Sequence, residues 1–266
     1  MAVLKREDAE IFYTSFGEEG EWVTLLNGYM RSSRDFSFLA KGLVQAGFRV
    51  LTLDNRGTGN TVSHGTFMVE DMVGDVFALW EALKVEKSHI VGFSMGGFLS
   101  QYAAWKKPTC IQSLSLVSTC LRPSQIIRES RFWSRDVAEN FAILQSYVGA
   151  KFRKGNALVL QGMAQKIAEA VEQGAFLPNA HHQLTALKSY HPPEISELCA
   201  LKMPVLILHG VEDQVAPLER GQELAQVFPK SQLVVVPEVG HLLLAECGPL
   251  LLSELCKFLG VHVGGV

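Results

Sequence analysis

The sequence predicts an α/β fold: a mostly parallel central sheet with helices on both faces and an inserted helical cap. Three observations carry that expectation. Short apolar runs alternate with longer segments of helical periodicity, the reactive residue types follow the apolar runs, and the alternation lapses between about 121 and 197 before it resumes. Strands covered by crossover helices on both faces read as unbroken apolar runs rather than as apolar-polar alternation.

Each element follows in order. "AEIFYTSF" (9–16) reads as an N-terminal strand at one edge, and "WVTLLNG" (22–28) as an apolar strand running into a turn. "RDFSFLAKGLVQAG" (34–47) has helical spacing and closes on Gly47, a stop signal. "FRVLTLD" (48–54) is a strand ahead of the glycine-broken loop "NRGTGNTVSHG". In "FMVEDMVGDVFALWEALKV" (67–85), Met68, Met72, Val76, Leu79 and Leu83 share one helical face. "SHIVGF" is a strand, "MGGFLSQYAAWKK" a helix and "IQSLSLVS" (111–118) a strand. The late part adds a strand "PVLILHG" (204–210), a helix near 217–228, a strand "QLVVVPE" (232–238) and a final helix near 244–259. Between them, "SQIIRESRFWSRDVAENFAILQSYVGAKF", "NALVLQGMAQKIAEAVEQGAF" and "NAHHQLTALKSY" look helical, with breaks near Gly149, Gly155 and Pro178. Residues 1–120 and 198–266 are expected to form the core, and 121–197 a cap over the carboxyl edge of the sheet.

Composition narrows the partners. A chain of 266 residues, 48% hydrophobic and 19% charged, can bury one large core. A formal charge of −3 with no basic stripe argues against nucleic acid. "MAVLKREDAE" lacks the apolar core of a secretory signal and no run approaches the length of a membrane span, so a cytoplasmic protein is expected. Five cysteines without CxxC spacing suggest neither a disulfide framework nor a zinc knuckle. His181 and His182 are adjacent rather than one helical turn apart, so no metal is expected. The GTG of "DNRGTG" lacks the full GxGxxG fingerprint. No cofactor is called for, and a small molecule is the expected partner.

The candidate site grows from "HIVGFSMGGFLS" (89–100). An apolar strand meets a helix at Ser94, and Gly92 and Gly96 stand where a side chain would collide with the close passage of the two elements. Such a turn strains the serine backbone, exposes its oxygen and aims the Met95 amide at a developing negative charge. Serine at its ordinary acidity needs a base, and His241 in "PEVGHLLLAE" follows the last strand. The imidazole in turn needs a carboxylate, which Asp213 in "HGVEDQVAP" supplies; its neighbour Glu212 is expected to point into solvent. Asp54 and Arg56 are expected to brace their loop, and His64 to sit in an exposed turn.

Through "LLNGYMRSSRDF", "LDNRGTGNT", "VGFSMGG", "LILHGVEDQVAP" and "VGHLLLAE", the chain resembles the α/β-hydrolase fold superfamily along nearly its whole length outside the cap. The order Ser94, Asp213, His241 is that of the superfamily's serine, acid and histidine. The resemblance implies that the Tyr29 backbone amide is the second oxyanion donor, beside Met95. Relatives often carry His-Gly where this chain has Asn27-Gly28, a change a backbone donor tolerates. Asn27 and Met30, with Phe132, Trp133, Phe141, Tyr147 and Phe176 from the insertion, are the candidate lining of a substrate pocket.

The implied chemistry is acyl transfer on a small or medium, fairly apolar ester, thioester or lactone. The alternatives are a C–C bond hydrolase of a ketone-bearing substrate, a haloperoxidase-like perhydrolase, and a small-molecule receptor on a hydrolase fold. Epoxide hydrolysis and dehalogenation are disfavoured, because relatives doing those reactions place Asp at the position of Ser94.

Overall fold

The structure, a computed structural model, describes residues 1–125, 133–173 and 177–261, with 177–180 described in backbone only. An N-terminal pair, β1 (Ala2–Lys5) and β2 (Ala9–Phe16), precedes β3 (Trp22–Leu26), α1 (Ser37–Gln45), β4 (Arg49–Leu53), the short β5 (Val62–Ser63) and α2 (Val69–Ala82). Then come β6 (Ser88–Phe93), α3 (Met95–Lys106) and β7 (Ile111–Val117). The chain next leaves the sheet for α4 (Val137–Tyr147), α5 (Ala150–Gly155), α6 (Ala157–Glu172), α7 (Leu177–Ser189) and α8 (Ile195–Cys199). It returns through β8 (Val205–Gly210), α9 (Leu218–Val227), β9 (Ser231–Val236), α10 (Leu243–Glu246) and α11 (Gly248–Phe258).

The strand order is β1-β2-β4-β3-β6-β7-β8-β9, with β5 paired to β2. From β4 to β9 every pairing is parallel, whereas β1, β2 and β5 pair antiparallel. After β3 the chain moves outward to β4, and after β4 it crosses to the far side of β3 to lay down β6. A crevice opens beyond the carboxyl ends of strands where the order reverses in this way, and ligands collect there in open α/β sheets. The loops after β3 and β6 both empty into it.

The expected helices and strands of the sheet region are present, with three differences. The strand at 9–16 is not the edge: β1 lies outside it, in register Val3 to Phe12 and Leu4 to Ile11. So short a strand becomes visible only through its partner. The helix near 34–47 opens with a 3-10 turn over Ser33–Phe36, then stops at Gly47, whose φ of 93° only glycine adopts freely. The final helix is two, because Pro249 starts α11 afresh and the Glu246 side chain turns back toward the preceding loop.

Two apolar clusters flank the sheet. One gathers Met72 and Leu79 of α2, Phe98 and Leu99 of α3 and Leu224 of α9, and also takes Leu187 of α7. The other gathers Leu39 and Leu43 of α1 and Leu251 and Leu255 of α11, together with Leu144 of α4 and Leu160 of α6. The inserted helices thus share the apolar clusters of the sheet. Helix α3 is buried over nearly its full circumference, from Met95 through Ala104, which fixes the start of that helix. Among the described residues, no helix is long and apolar enough to cross a membrane.

Candidate active site

Strand β6 ends at Phe93 and α3 begins at Met95, so the whole reversal falls on Ser94, at φ 52° and ψ −115°. A non-glycine residue at positive φ carries a steric cost of about 1–3 kcal/mol and persists only when its surroundings insist on it. Here the Ser94 N–H donates to the Val117 carbonyl (2.9 Å), and the Ser94 carbonyl accepts from the Gly97 N–H (2.9 Å) and the Thr119 hydroxyl (2.8 Å). A methyl on Gly96 would stand 1.9 Å from the Leu26 carbonyl oxygen, and one on Gly92 2.3 Å from the Ser100 hydroxyl. Gly97 is equally confined, with the Thr119 hydroxyl 2.4 Å from where its methyl would be. The sequence alone does not mark that third glycine, because its packing partner Thr119 lies 22 positions on.

Asp213 lies in the turn after β8. Its Oδ1 accepts from the Val215 and Ala216 N–H groups (2.9 and 2.8 Å), and its Oδ2 faces His241 Nδ1 at 2.9 Å. His241 Nε2 is 3.1 Å from the Ser94 hydroxyl oxygen. All three residues are buried, and a carboxylate beside Nδ1 keeps the proton there, leaving the Nε2 lone pair for the serine. The structure therefore brings together the three side chains named from sequence. A further histidine, His209 of β8, stands behind them: its Nε2 donates to the Ala216 carbonyl (2.6 Å) and lies 3.6 Å from Asp213 Oδ2. Burial pushes its pKa down, against the pull of Asp213, so it is held neutral.

The His241 loop is held from outside the sheet. The His241 N–H donates to the Tyr147 carbonyl at the end of α4 (2.6 Å). The Glu246 carboxylate accepts from the Gly240 and Leu242 N–H groups on either side of His241, and from the Gly149 N–H ahead of α5 (2.8 Å). Burial pushes the Glu246 carboxyl above the usual range, opposed by those three donors. Glu212 does not merely face solvent, because its carboxylate accepts from the Ala150 N–H at the start of α5 (2.7 Å). Both acidic side chains reach backbone amides of the α4–α5 junction far away in the sequence, and no local pattern announces those two contacts.

On the other flank, the chain after β3 passes directly against the serine: a methyl on Gly28 would lie 3.3 Å from Ser94 Cβ. Tyr29 and Met30 form the turn that follows, closed by the Arg31 N–H on the Gly28 carbonyl (3.2 Å). Met95, as the first residue of α3, has an N–H with no carbonyl one turn back, at the positive end of the helix dipole. Asn27 ties its own loop together. It is fully buried, with Oδ1 accepting from the Gly28 N–H (2.7 Å) and Nδ2 donating to the Ser32 carbonyl and to Asp35 (3.1 Å), so its amide shapes the loop. Met30, at φ 58°, is likewise buried. Burial, with Tyr147 nearby, pushes the Tyr29 hydroxyl pKa up to about 12, so it stays protonated.

Of the aromatic candidates in the insertion, Tyr147 meets the His241 ring edge-on at 6.1 Å between centroids, and Trp133 meets Tyr147 at 6.1 Å. Phe141 packs with both against the cluster on the α1 side of the sheet. Phe132 and Phe176 lie outside the described residues. Asp54 braces its loop as expected, accepting from the Ser33 and Asn60 N–H groups (2.7 and 2.8 Å). Arg56, buried beside Asp75, binds that carboxylate and Asp8, and His64 is exposed.

The alpha/beta hydrolase fold family matches residues 21–246, and the chain belongs to it. It is similar to the AB hydrolase superfamily protein YisY of Bacillus subtilis, at 27% identity over 256 residues, covering 90% of this chain and 91% of that one. It is also similar to the non-heme chloroperoxidase CPO-A1 of Kitasatospora aureofaciens, at 26% identity over 264 residues, covering 89% and 90%. Among solved structures, the enol-lactonase from Burkholderia xenovorans LB400 shares the fold with a TM-score of 0.80 at 22% identity, covering 95% of this chain and 97% of that one.

Proposed function

We propose that the protein is a serine hydrolase that opens a small or medium, fairly apolar ester, thioester or lactone through an acyl-enzyme on Ser94. The observation that carries the reading is the continuous relay from the Ser94 hydroxyl through His241 to Asp213, at 3.1 and 2.9 Å, on a serine held at positive φ. Ser94 attacks the carbonyl while His241 Nε2 takes its proton, and Asp213 stabilises the imidazolium. The Met95 and Tyr29 amides receive the oxyanion, and a single donor of that kind is worth about 3–4 kcal/mol in comparable sites. His241 then protonates the leaving group and activates water to release the acid. In this reading the helices of 121–197 act as a cap, with Tyr147 and Trp133 supplying apolar surface beside His241.

The likeness to a chloroperoxidase favours one second reading, in which hydrogen peroxide takes the place of water on the same acyl-enzyme and the product is a peracid. A fluorophosphonate probe, followed by p-nitrophenyl esters of graded chain length and a set of lactones, tests the main reading. Ser94 is expected to be labelled, and Ser94→Ala to lose turnover by about 10⁶-fold while still folding. A folded parent protein that neither labels nor turns over any acyl substrate would leave binding alone. Peracid formed faster than acid at equal nucleophile concentration would favour the second reading.

A further inference from the structure

Gln183 belongs to α7 in the insertion, is fully buried, and reaches back to two loops of the sheet. Its Oε1 accepts from the Met30 N–H (2.9 Å), and its Nε2 donates to the Arg56 carbonyl (2.7 Å). A donor on one side and an acceptor on the other fix which way round the amide sits. Met30 follows Tyr29, so the peptide plane that Gln183 grips is the one next to the Gly28–Tyr29 plane carrying the second oxyanion donor. Met30 also sits at φ 58°, a conformation that needs an outside hold. Arg56, the other anchor, is itself immobilised by its bonds to Asp75 and Asp8. The grip therefore has a rigid base.

We propose that Gln183 is a positioning residue for the oxyanion hole: it fixes the Tyr29–Met30 turn against Ser94, so that the inserted helices complete the catalytic geometry as well as cover it. This rests on the hydrolase reading for its catalytic consequence, though not for the grip itself. Tyr29 presents an amide to the oxyanion only while its turn holds one geometry, and displacements near 1 Å at a reacting centre can cost about 10²-fold in rate. The residue touches no substrate in this account and acts through the turn alone.

Gln183→Leu removes both hydrogen bonds at similar volume, and Gln183→Met does the same if the leucine variant fails to fold. Amide hydrogen exchange should accelerate in a peptide spanning 27–33, with little change across 92–97. On the best ester, kcat should fall about 10- to 100-fold with KM within about threefold. A trifluoromethyl ketone, whose hemiketal oxygen mimics the oxyanion, should lose affinity by the factor lost in kcat/KM. Gln183→Glu keeps the acceptor for Met30 and regains the donor when protonated, so its kcat relative to the parent should rise as pH falls. Unchanged exchange at 27–33, or a loss confined to KM, would overturn the proposal. Failure of the parent to label at Ser94 would remove the hydrolase reading instead, while the exchange result still decides whether Gln183 holds the turn.

Discussion

The turn at Ser94 and the loop at His241 are held in opposite ways. The serine turn is fixed by what is missing: Gly92, Gly96 and Gly97 let backbones and side chains approach to distances that any methyl would violate. The histidine loop is fixed by what is added, a half-buried Glu246 carboxylate, the Tyr147 carbonyl and the Gly149 amide, two of them contributed by the junction between α4 and α5. Steric exclusion is local, all-or-none and independent of pH. Polar tethers are long-range, graded and titratable, so His241, the base in the proposed reading, is the adjustable member of the three.

The largest effect should come from breaking the steric half. Gly96→Ala puts a methyl against the Leu26 carbonyl and should cost about 3 kcal/mol or more, read as a fall in unfolding midpoint, with loss of probe labelling at Ser94. A thermally unperturbed variant that still labels would contradict the idea that exclusion sets the turn. Glu246→Gln tests the polar half. It keeps one acceptor oxygen and places an NH2 group among three N–H donors, so kcat should fall about tenfold while labelling persists more slowly. Equal losses at 96 and 246 would erase the contrast.

A smaller effect concerns acid. Burial depresses the pKa of His209, so its unfolded form binds a proton more readily than its folded form. The stability this represents is present above the unfolded value near 6.5 and is lost as pH falls through it toward the folded value, at up to about 1.4 kcal/mol per pH unit. His209→Gln can keep the donor to the Ala216 carbonyl and should flatten the fall in unfolding midpoint between pH 7 and 5, leaving kcat at pH 8 nearly unchanged. A variant as acid-sensitive as the parent would assign that loss to other groups, His89 among them, whose pKa burial also lowers against the pull of Glu21.

The contrast also explains what could be read from the sequence. Ser94 sits in a pattern of glycines within two residues, and Asp213 and His241 each follow an apolar strand, so periodicity and chain order single them out as candidates. Gln183 lies 153 positions from its Met30 partner, and Glu246 97 positions from Gly149. A polar residue on a helix looks like a solvated one until packing buries it. Asn27 is ambiguous in sequence for the same reason: beside such a turn, a side chain that faces a pocket and one that ties the loop shut are spelled identically. β1 and the split at Pro249 are not legible in sequence, because four-residue elements carry too little periodicity to be distinguished from loop.

The left-handed backbone at residue 94 limits which nucleophiles this framework can host. A β-branched side chain crowds its own backbone at positive φ, so threonine, which offers the same hydroxyl, is penalised there, whereas cysteine and aspartate bring different reacting atoms on an unbranched Cβ. New chemistry on such a scaffold is therefore more accessible by exchanging the attacking element than by adding a single carbon to it.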